Sequence, residues 1–409
     1  MTARVQKDHP DSLTDRLRTA LRDFTTRLES QGYAASTLKE KLRYLAGFGR
    51  WGTSRELDVA AIDDQAVIEF FRDERITGRR RQGAEAVLGA LLRWLRDEGM
   101  SHVAAGTRGG PLEELEDSYV EYLDKERGLA PVTRDDYRAL VHRFLVDRFS
   151  EQGPLRLGSL CAADVIGHVE RHARRGSRGR AKLMATALRS LFQFLRQRGE
   201  VAVDLAAAVP CVAHWRLASL PKGLAPEQVK AVLRACDRTT AIGRRDYAIL
   251  LLLARLGLRA GEVVSLTLDD IDWPNGTLVV HGKGPRRDLM PLVPDAGEAI
   301  VAYLRDGRPA CSTRRLFVRA RAPHQGFTSS VAICVVVENA LARAGVEFPR
   351  KGAHILRHAL ATGMLQRGAS LGEIGDVLRH RHPDTTMLYT KVDLAALRPL
   401  ARPWLGGEA

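Results

Sequence analysis

Cysteine is scarce in this chain and scattered: Cys161, Cys211, Cys236, Cys311 and Cys334 are the five in 409 residues, with no C-x-x-C pair among them. That spacing offers neither a zinc ribbon nor a disulfide framework, and the five are expected to act as small buried hydrophobes. Long apolar runs are lacking as well. The stretches Ala248 to Ala254 and Val331 to Val337 are far too short to span a bilayer, and the start M-T-A-R-V-Q-K-D-H-P has no signal-peptide core. A soluble, cytoplasmic protein is the expectation. A Walker phosphate loop, G-x-x-x-x-G-K-[ST], is also missing from the sequence.

Positive charge, by contrast, is plentiful. Lys and Arg number 63 against 49 Asp and Glu, a net charge of +14 and a pI of about 9.9. Such a balance favours a polyanionic partner, whether DNA, RNA or an acidic membrane, and charge alone does not choose among them. At 409 residues, 45% of them hydrophobic, the chain exceeds one ordinary core and can fill two or three.

The first half repeats itself. Gly32-Tyr-Ala-Ala-Ser-Thr37, followed by a helical pattern reaching Phe48, resembles Gly128-Leu-Ala-Pro-Val-Thr133, followed by one reaching Phe144. Further on, L-L-R-W-L-R-D-E-G at 91–99 resembles L-F-Q-F-L-R-Q-R-G at 191–199. The spacing predicts two tandem helical units, each with a Thr placed to cap a helix, a second helix near its middle and a last helix with an aromatic and leucines at core positions. A basic cluster precedes the last helix of each: Arg75, Arg79, Arg80 and Arg81, then Arg171, Arg174, Arg175, Arg178, Arg180 and Lys182. A charge run is most often a solvated face. Recurrence at the equivalent place, beside Gly78, Gly176 and Gly179, tilts these toward phosphate contact. The Gly-rich stretch 105–111 reads as a linker, and a second boundary falls between Pro210 and Gly223. Three domains follow, 1–104, 112–213 and 221–409. The last is expected to be mixed α/β, mostly helical, with a hairpin of Thr277 to His281 and Asp288 to Leu292, and a helix starting near Pro226.

This last third carries Arg259 in G-L-R-A-G-E, Lys283 in H-G-K-G, His354 and Arg357 in H-I-L-R-H, and His380 and Tyr389 in L-R-H-R-H-P-D-T-T-M-L-Y. Each alone is weak: an Arg at a helix junction usually makes a structural ion pair, turn lysines are common, and most tyrosines pack. Together they are a chemical set. Cations can hold a phosphate while a phenol attacks it, provided a base takes the phenol's proton and the cations stabilise the oxyanion. His354 and Arg357, three apart, share one helix face, and His358 can share it too. Ser370-Leu-Gly-Glu373 has the form of a capping box before a short apolar helix that delivers His380.

In order and spacing these residues resemble the active site of the tyrosine recombinases, the phage-integrase family, over about Leu220 to Lys391. The resemblance implies a mainly α fold with a small β-sheet, the second helical unit as the core-binding, SAM-like domain, and the first as an accessory DNA-binding or assembly module. It implies that Arg259 and Arg357 clamp the scissile phosphate with Glu262 supporting Arg259. His354 then takes or relays the nucleophile's proton, and Lys283 protonates the leaving 5′ oxygen. His380, nine residues before Tyr389, joins them, and Tyr389 forms a 3′-phosphotyrosyl bond. Arg286 and Arg287 beside Lys283 add basic groups for DNA. The family usually has Gly where this chain has Arg379, read here as an extra cation beside DNA. The resemblance further implies a double-stranded DNA recombination site, a tetramer, no metal or other cofactor, and accessory DNA-bending or directionality proteins as further partners; Leu394, Leu397 and Leu400 of the tail are candidates for packing on a neighbour or, equally, on their own domain. A type IB topoisomerase, a non-catalytic DNA-binding regulator and an RNA-binding protein are the alternatives.

Overall fold

The computed structural model describes residues 13–101, 110–150, 154–212, 223–282, 286–348, 352–387 and 389. Two compact units result, one of Val103–Ala218 and one that combines Met1–His102 with Ser219–Ala409. Three hydrophobic clusters fill them, one within residues 17–95, one within 112–209, and one within 224–356 that a small fourth cluster around Tyr389 follows.

The N-terminal bundle consists of α1 (Leu13–Glu29), α2 (Ala35–Ser54), α3 (Asp64–Asp73) and α4 (Gly78–Asp97), with one 3₁₀ turn at Val59–Ala61. Helix α1 buries Leu17, Ala20, Phe24 and Leu28, the i, i+3, i+4 stripe of an amphipathic helix. The Asp63 carboxylate starts α3 by accepting from Ala66 N at 2.8 Å. In the second bundle the order recurs: α5 (Pro111–Lys125), α6 (Pro131–Phe149), a 3₁₀ turn at Leu157–Ser159, α7 (Ala162–Arg175) and α8 (Arg178–Gln197), then a short α9 (Leu205–Ala208). Equivalent helices α2 and α6 start 96 residues apart, and α4 and α8 start 100 apart. The correspondence reaches single side chains. Phe48 meets Phe70 edge-on at 5.3 Å between centroids, and Phe144 meets His168 edge-on at 5.2 Å.

Thr37 and Thr133 do not cap. Helices α2 and α6 begin two residues earlier, after Ala34 and Ala130, because Ala35 and the pre-set φ of Pro131 already suit a first turn. The cysteines also differ from expectation. Only Cys236 is buried, while Cys161 and Cys211 are exposed. Cys161 is the N-cap of α7, a position that faces water by construction.

The C-terminal part contains α10 (Pro226–Arg234), α11 (Ala241–Arg255), α12 (Ala260–Ser265), α13 (Pro294–Asp306), α14 (Ser330–Arg343), α15 (His354–Gln366), α16 (Leu371–Val377) and α17 (Pro383–Thr386). Three short antiparallel strands accompany them in the order β1 (Ile271–Asp272), β2 (Thr277–His281), β3 (Arg287–Pro291). The run Ala248 to Leu253 is the middle of α11 and is almost wholly buried, packed against α13, α14 and α15. A helix apolar on all sides is a core helix, which is what this one has become. Among the described residues no helix is long and apolar enough to cross a membrane.

Strand β3 begins one residue before the expected hairpin arm, so His281 pairs with Arg287 and Leu278 with Met290. That register buries Leu278, Val280 and Met290 on one face. The two-residue β1 was not foreseen, being too short to show alternation. Residues 105–109 of the expected linker and 213–222 of the second boundary lie outside the described residues, as does the tail with Leu394, Leu397 and Leu400.

Candidate active site

Helix α11 ends just before Gly257, which turns at φ +58. A Cβ there would come within 2.7 Å of Leu378 Cδ2, so the backbone at this corner approaches α16 as closely as glycine permits. Arg357, on the first turns of α15 and 4% exposed, donates through Nη1 to the Gly257 carbonyl and through Nη2 to the Leu378 carbonyl. Both guanidinium arms are thus fixed by backbone. Burial, with the Arg259 and Arg379 guanidiniums nearby, pushes Arg357 down to about 10, and it stays charged at neutral pH.

Arg259 caps α12, three residues before Glu262. The buried Glu262 carboxylate accepts from Arg259 N at 2.7 Å, from Arg259 Nη1 at 2.6 Å and from Arg379 Nη2 at 2.7 Å. One carboxylate therefore serves two arginines. Arg379 stands at φ +54, the left-handed region, and that is why glycine suits the position. A residue with a Cβ costs on the order of 1–2 kcal/mol there. The expectation of a cation beside DNA fails at this residue. Its side chain is 5% exposed and points inward to Glu262, with Asp288 of β3 3.8 Å from Nε, because the buried Glu262 and the half-buried Asp288 compensate a charge that water no longer reaches.

Three other groups complete the cluster. His354 is exposed at the start of α15, and its partial enclosure, then Arg357 and Arg259, lower its pKa. His380 follows α16, with Nδ1 2.7 Å from Thr386 Oγ1. Burial and the neighbouring Arg357, Arg259, His358 and Arg379 push it down to about 4, so it is a neutral imidazole at neutral pH. Tyr389 is 2% exposed, packed with Ala361, Ile374 and Leu378. Burial pushes its phenol up to about 12 while Arg357 pulls the other way. The hydroxyl lies 2.8 Å from His358 Nδ1, and the His358 ring is 6.5 Å from that of His354.

An open cleft of about 660 Å³ gathers Arg259, His354, His380, Arg379, His281 and Arg286 on its walls. Arg357 and Tyr389 do not line it. Both are buried: Arg357 lowers the pKa of His354 and of His380, and Tyr389 hydrogen-bonds to His358, which itself helps lower that of His380. Lys283 lies outside the described residues. Its neighbours are ordered: Gly282 N donates to Arg286 O at 2.9 Å, Arg286 Nε pairs with Asp288 Oδ1 at 2.6 Å, and Arg287 is exposed. Reasoning from the sequence missed His358 as the phenol's partner, although its place one turn after His354 was the signal. It also missed the inward turn of Arg379, for which the glycine usual at that position was the signal.

Of the basic clusters, Arg80 and Arg81 are exposed on α4, and the Arg79 side chain lies outside what the structure describes. Arg174 and Arg175 at the end of α7, and Arg178, Arg180 and Lys182 at the start of α8, are all exposed. Among the described residues, Asp147, His168 and His172 of the second bundle are near enough to one another to hold a metal ion. His168 Nδ1 and Asp147 Oδ2, 3.1 Å apart, also make sense without one, as a buried imidazole against an exposed carboxylate.

The family model for the phage integrase family matches residues 222–395, and that for its N-terminal SAM-like domain matches 117–199. The protein y4rA of Sinorhizobium fredii (strain NBRC 101917 / NGR234), provisionally named an integrase/recombinase, is 42% identical over 385 residues, 94% of this chain and 93% of that protein. The chain belongs to the phage integrase family of tyrosine recombinases. Tyrosine recombinase XerD of Vibrio vulnificus (strain YJ016) is 33% identical over 297 residues, 69% of this chain and 93% of that one. Among solved structures, a XerH site-specific recombinase bound to a palindromic difH substrate aligns with 96% of this chain and 97% of its own at TM-score 0.51 and 17% identity. A lambda integrase dimer bound to a COC' core site aligns with 81% of this recombinase and 91% of its own chain at TM-score 0.53 and 16% identity. These two share the fold, mostly helical with a small antiparallel sheet.

Proposed function

We propose that this tyrosine recombinase cleaves and rejoins double-stranded DNA at specific sites, with Tyr389 as nucleophile. The observation that carries the reading is the convergence of Arg259, His354 and His380 on one cleft, with Arg357 and the Tyr389–His358 pair directly behind it. Arg259 holds a non-bridging oxygen of the scissile phosphate from the cleft wall, and Arg357, fixed on the Gly257 and Leu378 carbonyls behind it, completes the clamp with the N–H groups those carbonyls leave over and stabilises the charge that builds there. The Tyr389 oxygen attacks phosphorus, its proton passing to His358 and on toward His354, the two imidazoles that lead from phenol to cleft. The P–O5′ bond breaks, Lys283 protonates the departing 5′ oxygen, and a 3′-phosphotyrosyl bond remains. A partner strand's 5′-hydroxyl reverses the step. Phosphoester energy is conserved throughout, so neither nucleotide nor metal enters the balance. His380, bonded to Thr386, completes the cleft as a neutral donor or acceptor toward the phosphate.

The three-part division at 1–104, 112–213 and 221–409 belongs to the same reading, supported by the three separate hydrophobic clusters. So do a tetramer on paired sites, accessory DNA-bending or directionality proteins, a mobile element as the source, and action in the cytoplasm.

A nicked duplex carrying the sequence the protein protects in footprinting, built so that the cleaved fragment diffuses away, tests the nucleophile. A covalent adduct is expected without added metal, and Tyr389→Phe should form none; an adduct that survives that change removes Tyr389 from the role. Lys283→Ala should lose cleavage of ordinary DNA and regain it on a duplex with a bridging 5′ sulfur, a leaving group that needs no acid. No recovery would take Lys283 out of that step.

A further inference from the structure

We propose that Arg379 is a positioning residue for strand cleavage, setting the Arg259 guanidinium through their shared Glu262 and coupling it through Asp288 to Arg286 beside the β2–β3 hairpin. The inference rests on the reading of the site given above. Five charges of alternating sign run in a line: Arg286 to Asp288 at 2.6 Å, Asp288 to Arg379 at 3.8 Å, Arg379 to Glu262 at 2.7 Å, and Glu262 to Arg259 at 2.6 Å. All five line the cleft, Arg286 and Arg259 with exposed guanidiniums and Arg379 and Glu262 with side chains only 5% exposed. The line therefore joins two cleft cations through a buried middle.

Two features make this more than packing. The side chain sits at a left-handed backbone position where glycine is unstrained, so the chain carries an arginine here against its local backbone preference. Its Nε is buried without a hydrogen-bond partner among the described residues, with Asp288 Oδ2 just beyond bonding distance. That carboxylate is held instead by the exposed Arg286. When a DNA phosphate takes Arg286, Asp288 is released to close on Arg379 Nε. The guanidinium is then fixed at both ends, and Glu262 with it. Occupation of the hairpin by DNA thus tightens the phosphate clamp some residues away, and His380, next in sequence to Arg379, is seated by the same contact.

Single-turnover cleavage of the nicked duplex, measured against pH beside equilibrium binding, tests this. Arg379→Gly suits the backbone and should fold and bind DNA within about 3-fold of the parent, yet cleave roughly 10- to 100-fold more slowly. The acid limb of its rate profile should move to higher pH. His380 faces Arg357, Arg259, His358 and Arg379, with Thr386 on its Nδ1, and would lose one of these cations. Arg379→Lys should recover part of the rate, and Asp288→Asn should lose rate, not affinity, to a smaller extent. Cleavage by Arg379→Gly within 3-fold of the parent, with an unmoved acid limb, overturns the proposal. Should that variant fail to fold, Asp288→Asn decides: parental cleavage overturns the coupling, slowed cleavage with parental binding supports it. A parent protein that forms no Tyr389-dependent adduct overturns the functional reading as well, an outcome distinct from a parent that cleaves and a variant that matches it.

Discussion

The two helical bundles have one plan and differ in charge at the junction before the last helix. In the first, Arg75, Arg80 and Arg81 are exposed there, and Arg81 also pairs with Glu85 at 2.8 Å and lies over Phe71. In the second, Arg174, Arg175, Arg178, Arg180 and Lys182 all stand exposed where α7 gives way to α8. Their cores differ at one equivalent place too. Phe70 packs edge-on against Phe48, and His168 packs edge-on against Phe144. A shared scaffold can thus carry three exposed arginines or five exposed cations at one helix junction, with no change of fold.

Neutralising both clusters should break that comparison most visibly. Replacing Arg174, Arg175, Arg178, Arg180 and Lys182 by Gln is expected to weaken DNA binding by about 100-fold or more near physiological salt, and to flatten the salt dependence by roughly one unit of slope per lost phosphate contact. Replacing Arg75, Arg80 and Arg81 should cost less than about 10-fold. Equal losses in a filter-binding titration would erase the difference between the bundles.

The next effect is on stability. His168, buried beside His172 and Arg171, is pushed down to about 4, below its ordinary value near 6.5. Its proton therefore binds more tightly in the unfolded state, so the second bundle should lose stability as pH falls from about 6.5 toward 4, by roughly 3 kcal/mol at most. The first bundle, with Phe70 there, should not. Chemical denaturation of the isolated 110–212 fragment and of its His168→Phe form across that range would show a slope in one and none in the other. The smallest contrast is at the helix caps: Ser177 Oγ accepts from Arg180 N, and Thr77 makes no such bond. Ser177→Ala should cost about 1 kcal/mol and Thr77→Ala much less.

The repeat was legible because aromatic and leucine positions recur at fixed offsets, and so were helix α10 with its Pro226 and the Ser370 capping box that begins α16. The first helix of each bundle was not read, although α5 carries Leu112, Leu115, Tyr119, Tyr122 and Leu123 at helical spacing. Its start abuts the Gly-rich stretch, which drew attention as a linker. Order and spacing made Arg259, Arg357 and Tyr389 visible as a group, since each sits in a short local motif. His358 is visible one turn after His354, but its pairing with Tyr389, 31 residues later, depends on how the chain folds back after α16. The same holds for the direction of the Arg379 side chain.

Tyr389 in its pocket of Ala361, Ile374 and Leu378 has a consequence for timing. On the proposed role of Tyr389 as nucleophile, returning a buried ring of that size to water would take roughly 2 kcal/mol and leave about one molecule in thirty with the tyrosine presented before DNA arrives. Such a protein can wait in the presence of a whole chromosome with few accidental nicks. Its cleavage rate on a bound site then reports how well that site draws the tyrosine out, so target selectivity is exercised in the chemical step as well as in binding.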